Sequence, residues 1–347
     1  MKRVRNSKSS KTVSIFNKIL IFIALFSIVI IVAASYIFLY PVIPGSNSGQ
    51  ADAQLFRYRL KGGDIASQLV NQGVKAPKIL LQLSIYTAKS KGYIKPGLYE
   101  ISRKGTILDI ISKGLRGDTV RAKVTLIEGW PFWRIRQELD SNPDLVHATK
   151  NLDLVGISEL VGLNLTNPEG HFFPSTYFFE PGSSDIEVLK SAQKLMDKKL
   201  NEAWAVRLNG IVIQSPTEAL ILASIIEKET GNNKDRDKIS AVFHNRLRKD
   251  MRLQTDPTVI YGLGEKFNGN LTIRDLRRDT PYNTYTRKGL PPTPIASPGW
   301  SSLLAATQPA NSKALYFVGM GDGGSYFSET LKEHDAAVDK FQKKNGK

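Results

Sequence analysis

The stretch SPTEALILASIIEKETGNN, residues 215–233, reads as a helix with both ends marked. Ser215 fits an N-cap, Pro216 the first helical position, and Glu218 the reciprocal half of a capping box, while Gly231 suits a C-terminal stop. Between them Ala219, Leu220, Ile221, Leu222, Ala223, Ile225 and Ile226 cover most of the circumference at about 100° per residue. A helix apolar nearly all round belongs inside a core, yet this one ends in Glu227 and Glu229. Glu227 falls beside Leu220, Ala223 and Ser224, and Glu229 beside Leu222 and Ile225. A buried carboxylate without a partner is costly, and the usual escape is protonation through a raised pKa. A carboxyl kept neutral near pH 7 is what a general acid for glycosidic cleavage has to be. The blander alternative is a pair of end-of-helix acids matched to Lys228, Arg236 or Lys238. Periodicity does not choose between the two glutamates, although it sets Glu229 deeper in the apolar arc.

Around this helix, residues 130–347 read as a mainly helical domain with long loops punctuated by Pro and Gly. Three loops are rich in aromatic and polar groups: PEGHFFPSTYFFEPG (168–182), RLQTDPTVIYGLG (252–264) and YNTYTRKGLPPTPIASPG (282–299). Loops carry function on a rigid scaffold. Aromatic faces beside Asn, Gln, Thr and Asp are what a sugar groove needs, since pyranose rings present both C–H faces and directional hydroxyls.

Residues 55–129 read differently. LFRYRL alternates like a strand, GDIASQLVNQG closes as a short helix at Gly73, and APKILLQLSIYTAKSKG is a longer helix with Pro77 in its first turn. KPGLYEIS is strand-like, TILDIISKGLRG is another short helix, and VRAKVTLIEG is a strand. This small α+β module has no convergent acids, histidines or phosphate loop, so binding or spacing is its expected job. The fold class is therefore α+β, with a module preceding a mainly helical domain. Residues 41–54, PVIPGSNSGQADAQ, read as a linker.

The N-terminus is cationic, then apolar. Lys2, Arg3, Arg5, Lys8, Lys11 and Lys18 are six cations with no acid among them. Residues 19–40 follow as 22 charge-free, mostly apolar positions, which at about 1.5 Å each suffice for a bilayer core. A cleaved signal peptide typically has an apolar run of only about 7–15 residues, so an uncleaved single-pass anchor is expected. The basic tail, 1–18, should stay in the cytoplasm and everything beyond the anchor should lie outside.

The net charge is +16 over 347 residues, and six of those charges belong to the tail. For an exported domain a basic balance points to anionic lipid headgroups or cell-wall carboxylates rather than nucleic acid. The chain has no cysteine, which excludes disulfides, thiolate metal sites and cysteine nucleophiles. Its four histidines, at 147, 171, 244 and 334, show no metal-ligand spacing, so neither a metal nor a cofactor is expected.

The run ASIIEKET…DRDKISAVFHNRLRKDMRLQTDPTVIYGLG…YNTYTRKGLPPTPIASPG…ALYFV closely resembles the MltG (YceG-like) family of endolytic murein transglycosylases, over roughly residue 130 to the C-terminus. The module at 55–129 resembles that family's LysM-like subdomain, and the anchor its single-pass topology in the inner (cytoplasmic) membrane. The resemblance implies lytic cleavage of the MurNAc-β-1,4-GlcNAc bond within peptidoglycan strands, leaving a 1,6-anhydromuramic end, with peptidoglycan synthases as further partners. It implies that Glu227, the first glutamate of EKET, is catalytic and Glu229 supporting. It also implies that Glu169, Gln254, Asp256, Asn283 and Tyr285 line the groove. In lytic transglycosylation the sugar's own C6 hydroxyl is the nucleophile, so one acid/base serves both steps where an ordinary glycosidase uses two carboxyl groups. Three other readings stay open. They are a hydrolase pairing Glu227 or Glu229 with Asp256, a non-catalytic wall-binding protein, and a membrane-tethered scaffold for wall synthesis.

Overall fold

The structure is a computed structural model describing residues 8–43, 55–264 and 267–343. The first residues of the basic tail and most of the expected linker (44–54) lie outside the described residues. The chain divides into two compact units, Met1–Arg121 and Ala122–Lys347.

The first unit opens with α1 (Lys8–Leu39), whose Ile15–Leu39 portion is long and apolar enough to cross a membrane. Its apolar side chains are bare to solvent over most of that length. After it, β1 (Leu55–Leu60), α2 (Ile65–Asn71), α3 (Lys78–Lys89), β2 (Gly97–Ser102) and α4 (Ile107–Arg116) form the module. The strands pair antiparallel from Leu55↔Ser102 to Leu60↔Gly97, so the two helices between them sit inside one hairpin-like connection. Alternation in LFRYRL turns Tyr58 and Leu60 inward, where Tyr58 stacks on Tyr99 at 5.5 Å between ring centroids. Helix α4 is closed at both ends: Thr106 and Asp109 make a capping box, and Gly117 ends it in the left-handed region. Val42 and Ile43, read as the start of a linker, instead pack into this core. Val42 is stitched in by its N–H to Gly105 O (3.0 Å) and its carbonyl to Lys75 N (2.7 Å).

The second unit runs through β3 (Ala122–Thr125), α5 (Phe132–Ser141), β4 (Leu145–Val146), α6 (Leu154–Val161), β5 (Thr176–Phe179), β6 (Ser183–Ser184) and α7 (Asp185–Ala205). It continues with α8 (Pro216–Glu229), α9 (Arg236–Arg248), α10 (Asp256–Leu263), α11 (Ile273–Arg277), α12 (Trp300–Thr307), β7 (Tyr316–Gly319), β8 (Ser325–Ser328) and α13 (Leu331–Val338). The VRAKVTLIEG strand, read as closing the N-terminal module, supplies β3, and β3 pairs antiparallel with β5 of this unit. The sequence boundary at Trp130 thus moves to Ala122, because a strand's partner is a tertiary choice that its own residues do not encode.

Helix α8 packs against α7, α9, α10 and α12. Every residue from Ala219 to Ile226 is buried, so the apolar arc of the sequence is a true core helix. Burying each Leu or Ile among them stabilises by roughly 1.5–3 kcal/mol before entropy is counted. Ser215 accepts the Glu218 N–H at 3.2 Å as expected. The Glu218 carboxylate reaches back to Gln214 N at 2.6 Å, one residue earlier than a capping box requires. The helix stops at Thr230 in extended conformation rather than at Gly231.

Candidate functional site

The two glutamates at the end of α8 meet different surroundings, because two residues at about 100° each turn them roughly 200° apart. Glu227 turns toward α9 and the start of α12. Its Oε1 lies 3.1 Å from Arg236 Nη2, with both side chains less than a tenth exposed, and its Oε2 accepts the Gly299 N–H at 2.9 Å. The unpartnered apolar setting expected of Glu227 is therefore absent: an arginine and a backbone donor hold it. A Cβ at Gly299 would lie 1.9 Å from Glu128 Oε1, so the exposed Glu128 side chain would have to swing aside to admit one.

Glu229 turns the other way. Thr255 Oγ1 donates to its carboxylate, and burial is the main cause that pushes its pKa up to about 7. The nearby Asp256 charge raises it further, while the Thr255 hydroxyl and Arg246 oppose. Two clefts share Glu229. One, of about 490 Å³, is lined by Arg246, Gln254, Asp256, Tyr285, Tyr316 and His334 among others. The second, of about 610 Å³, runs past Thr230, Asn232 and the glycines of the β7–β8 hairpin. Glu227 lines neither. The size of each suits organic ligands.

The loops that carry Gln254, Asp256 and Tyr285 are knitted through Thr284. Its carbonyl accepts Gln254 N (3.1 Å), and its hydroxyl accepts Thr255 N (3.0 Å) and meets Thr258 Oγ1 (2.9 Å). Gln254 has φ +49°, a left-handed conformation uncommon for a residue with a side chain and typical of sites where geometry is imposed. The Tyr285 hydroxyl donates to Asp256 Oδ1. Burial first, then that carboxylate, raises the Tyr285 pKa, so the phenol stays a donor. Arg246 braces the same loop, donating from Nε to Leu315 O (2.7 Å) and from Nη1 to Leu253 O (2.8 Å).

Glu169 and Asn283 line neither of these two clefts, although Asn283 is bonded to Tyr285 and borders a third cleft of about 260 Å³. Glu169 is buried, accepting Phe132 N at 2.9 Å and Gly170 N at 3.1 Å, and so pins the start of α5. Burial raises its pKa to about 7, against the pull of those N–H donors and the Tyr261 hydroxyl. Asn283 is fully buried, donating to the carbonyls of Leu276 (3.0 Å) and Arg278 (2.7 Å) and accepting Tyr285 N (2.8 Å). Both side chains fix the backbone around them through these bonds. Arg246, Thr255, Tyr316, His334 and the hairpin glycines went unread in the sequence. The last had a signal, the run GMGDGGS (319–325) between two strand-like segments.

Among the described residues, Asp140, His147 and Asp185 bring ligand atoms within 4.8 Å of one another. Asp185 is already saturated by Ala148 N (3.1 Å), Thr149 N (3.1 Å) and Thr149 Oγ1 (2.6 Å), which accounts for its burial without a cation.

The core helix α8 thus ends in a buried acid, its pKa raised by burial, that borders two polar clefts. The chain belongs to the YceG-like family, whose pattern matches residues 60–340. It is 34% identical over 276 residues to an endolytic murein transglycosylase of Bacillus subtilis (strain 168), covering 74% of this chain and 76% of that one. It is 27% identical over 290 residues to an endolytic murein transglycosylase of Streptococcus pneumoniae serotype 2 (strain D39 / NCTC 7466). That match covers 73% of this chain and 52% of the relative, so the chain spans about half the streptococcal length. A crystal structure of a YceG-like protein from Listeria monocytogenes aligns with a TM-score of 0.52 and 32% identity, covering 82% of this chain and 98% of that one.

Proposed function

We propose that this protein is an endolytic murein transglycosylase in which Glu229, rather than Glu227, is the single acid/base. The observation that carries the assignment is the position of Glu229, an acid with pKa about 7 at the junction of the two clefts. Protonated Glu229 gives its proton to the glycosidic oxygen as the bond from C1 breaks. The C6 hydroxyl of the same sugar then closes on C1, and its proton returns to Glu229. No water is consumed and the product carries a 1,6-anhydro end. An acid near neutrality suits both halves, since each half needs the opposite protonation state. Asp256, Gln254, Tyr285 and Arg246 supply the donors and acceptors that hold sugar hydroxyls on one side of Glu229. The Glu227–Arg236 pair keeps the end of α8 in place.

The relatives' activity and this geometry support the same reading, and mass spectrometry of products from purified glycan strands tests it. Internal anhydro ends are expected. Water-added ends would instead favour a hydrolase, for which Asp256 is the nearby second carboxylate. No cleavage at all would favour a binding or scaffold protein. The two-stranded module, with α2 and α3 between its strands, is proposed to hold glycan in the LysM-like manner. Helix α1 is proposed to anchor the chain with its N-terminus in the cytoplasm and the module and the second unit outside, a reading supported by the cationic residues before residue 19.

A further inference from the structure

Helix α3 is apolar on two opposite sides. Leu81, Ser84, Ile85 and Ala88 face the module core. Ile79, Leu83 and Tyr86, spaced by four and three residues, form a second stripe and are 72%, 53% and 74% exposed. At about 100° per residue the bare stripe lies close to diametrically opposite the buried one. Tyr93, just beyond the helix, is 70% exposed as well. A short helix needs one apolar face to fold onto a core, so the second is unexplained by folding.

The segment that carries the stripe is basic. From residue 65 to residue 99 there is no Asp or Glu, while Lys75, Lys78, Lys89, Lys91 and Lys95 fall within the same span. Among the described residues, the one ion pair of these lysines joins Lys78 to Asp64 at 3.4 Å. Helix α3 also touches α1. The Tyr36 hydroxyl, in the last turns of α1, donates to Lys75 O at 3.2 Å, three residues before α3 begins. Tyr36 and Tyr40 stack at 4.6 Å between centroids where the apolar run ends, the place tyrosines take at a membrane interface.

We infer that α3 is an interfacial helix: its Ile79–Leu83–Tyr86 stripe inserts into the headgroup region of an anionic bilayer, with the lysines on phospholipid phosphates. Basic residues flanking an apolar, aromatic-bearing stripe are the composition of a surface-lying membrane helix. Continuity with α1 identifies the bilayer as the occupant, and the inference rests on the anchor reading of α1. The consequence is an orientation: the module is held against the membrane by two contacts, a span and a surface helix.

The chain has no cysteine, so single labels are unambiguous. Full-length protein carrying Ser27→Cys or Leu83→Cys, each with an environment-sensitive fluorophore, would be reconstituted into phosphatidylglycerol/phosphatidylethanolamine vesicles containing nitroxide lipid. The Leu83 label should lose at least half its emission to headgroup-proximal nitroxide, and the Ser27 label should respond to deep nitroxide. Tyr86→Glu with Ile79→Glu should restore the Leu83 label's emission, and these exposed positions leave folding intact. Quenching at Ser27 with a water-accessible Leu83 label would overturn the inference and leave the anchor standing. Loss of quenching at Ser27 would overturn both. Protection of Leu83 only on adding glycan strands, or only at high protein-to-lipid ratio, would assign the stripe to the wall or to a second copy and sink the bilayer reading.

Discussion

At the residue scale, the two glutamates of α8 differ in what removing them should do. Glu229→Gln keeps shape but loses the titrating proton, and general acid–base catalysis is worth about 10²–10⁴-fold, so glycan cleavage should fall at least that far. Glu227→Ala should act on stability: breaking a buried pair while leaving Arg236 in place costs on the order of 3–5 kcal/mol, to be read from urea midpoints. A full loss of cleavage in well-folded Glu227→Gln, with Glu229→Gln active, would return the acid to Glu227. The pH dependence has a definite sign. Glu229 and Glu169 both have folded pKa values raised to about 7 from an ordinary value of 4.5. The unfolded chain therefore releases these protons first as pH rises. The stability they contribute is fully present below about pH 4.5 and is lost on the way to about pH 7, each acid accounting for on the order of 3 kcal/mol. Melting temperature should fall across that window, and the fall should be shallower in Glu229→Gln. Periodicity alone does not separate the two glutamates, while the family resemblance favours Glu227. Both follow the same apolar run, and only the tertiary partners Arg236 and Thr255, which are 9 and 26 residues away, tell them apart.

At the element scale, the loops behave as one piece because Thr284 and Asn283 tie them. Thr284→Val is close in shape and removes the acceptor for Thr255 N and the partner of Thr258 Oγ1. Leaving a buried N–H unmet costs about 1–3 kcal/mol. Gln254 and Asp256 should then lose their fixed position over the cleft, so KM for glycan should rise more than the melting temperature falls. Unchanged kinetics in Thr284→Val would mean the loops are positioned by other contacts. Helix α8 and the caps of α4 were readable, since periodicity, Thr106, Asp109 and Gly117 act locally. Gln254 in a left-handed turn was not, because nothing in RLQTDPT demands that conformation; the backbone bond to Thr284 imposes it.

At the scale of the whole molecule, the place where one unit stops and the next begins decides what can fold alone. The sequence put the break at residue 130, after a strand that looked like the last of the module. In the structure that strand is β3, paired from Ala122↔Phe179 to Thr125↔Thr176. Val124 and Leu126 are each 2% exposed, in a core with Phe132, Ile135, Phe172 and Leu189. A fragment comprising 122–347 keeps all of this, whereas one comprising 130–347 loses the strand and both apolar residues, leaving β5 with an open edge. Taking away two large buried side chains typically costs several kcal/mol, comparable to the net stability of many domains. The 122–347 fragment should unfold cooperatively and cleave soluble glycan strands. The 130–347 fragment should melt at least several degrees lower and aggregate more readily through the bare β5 edge. Calorimetry of the two side by side, with anhydro-ended products counted for each, distinguishes the outcomes. Equal melting of both would show β3 to be dispensable. Failure of a well-folded 122–347 fragment to cleave would show that the module takes part in the reaction and not only in holding the chain near its substrate.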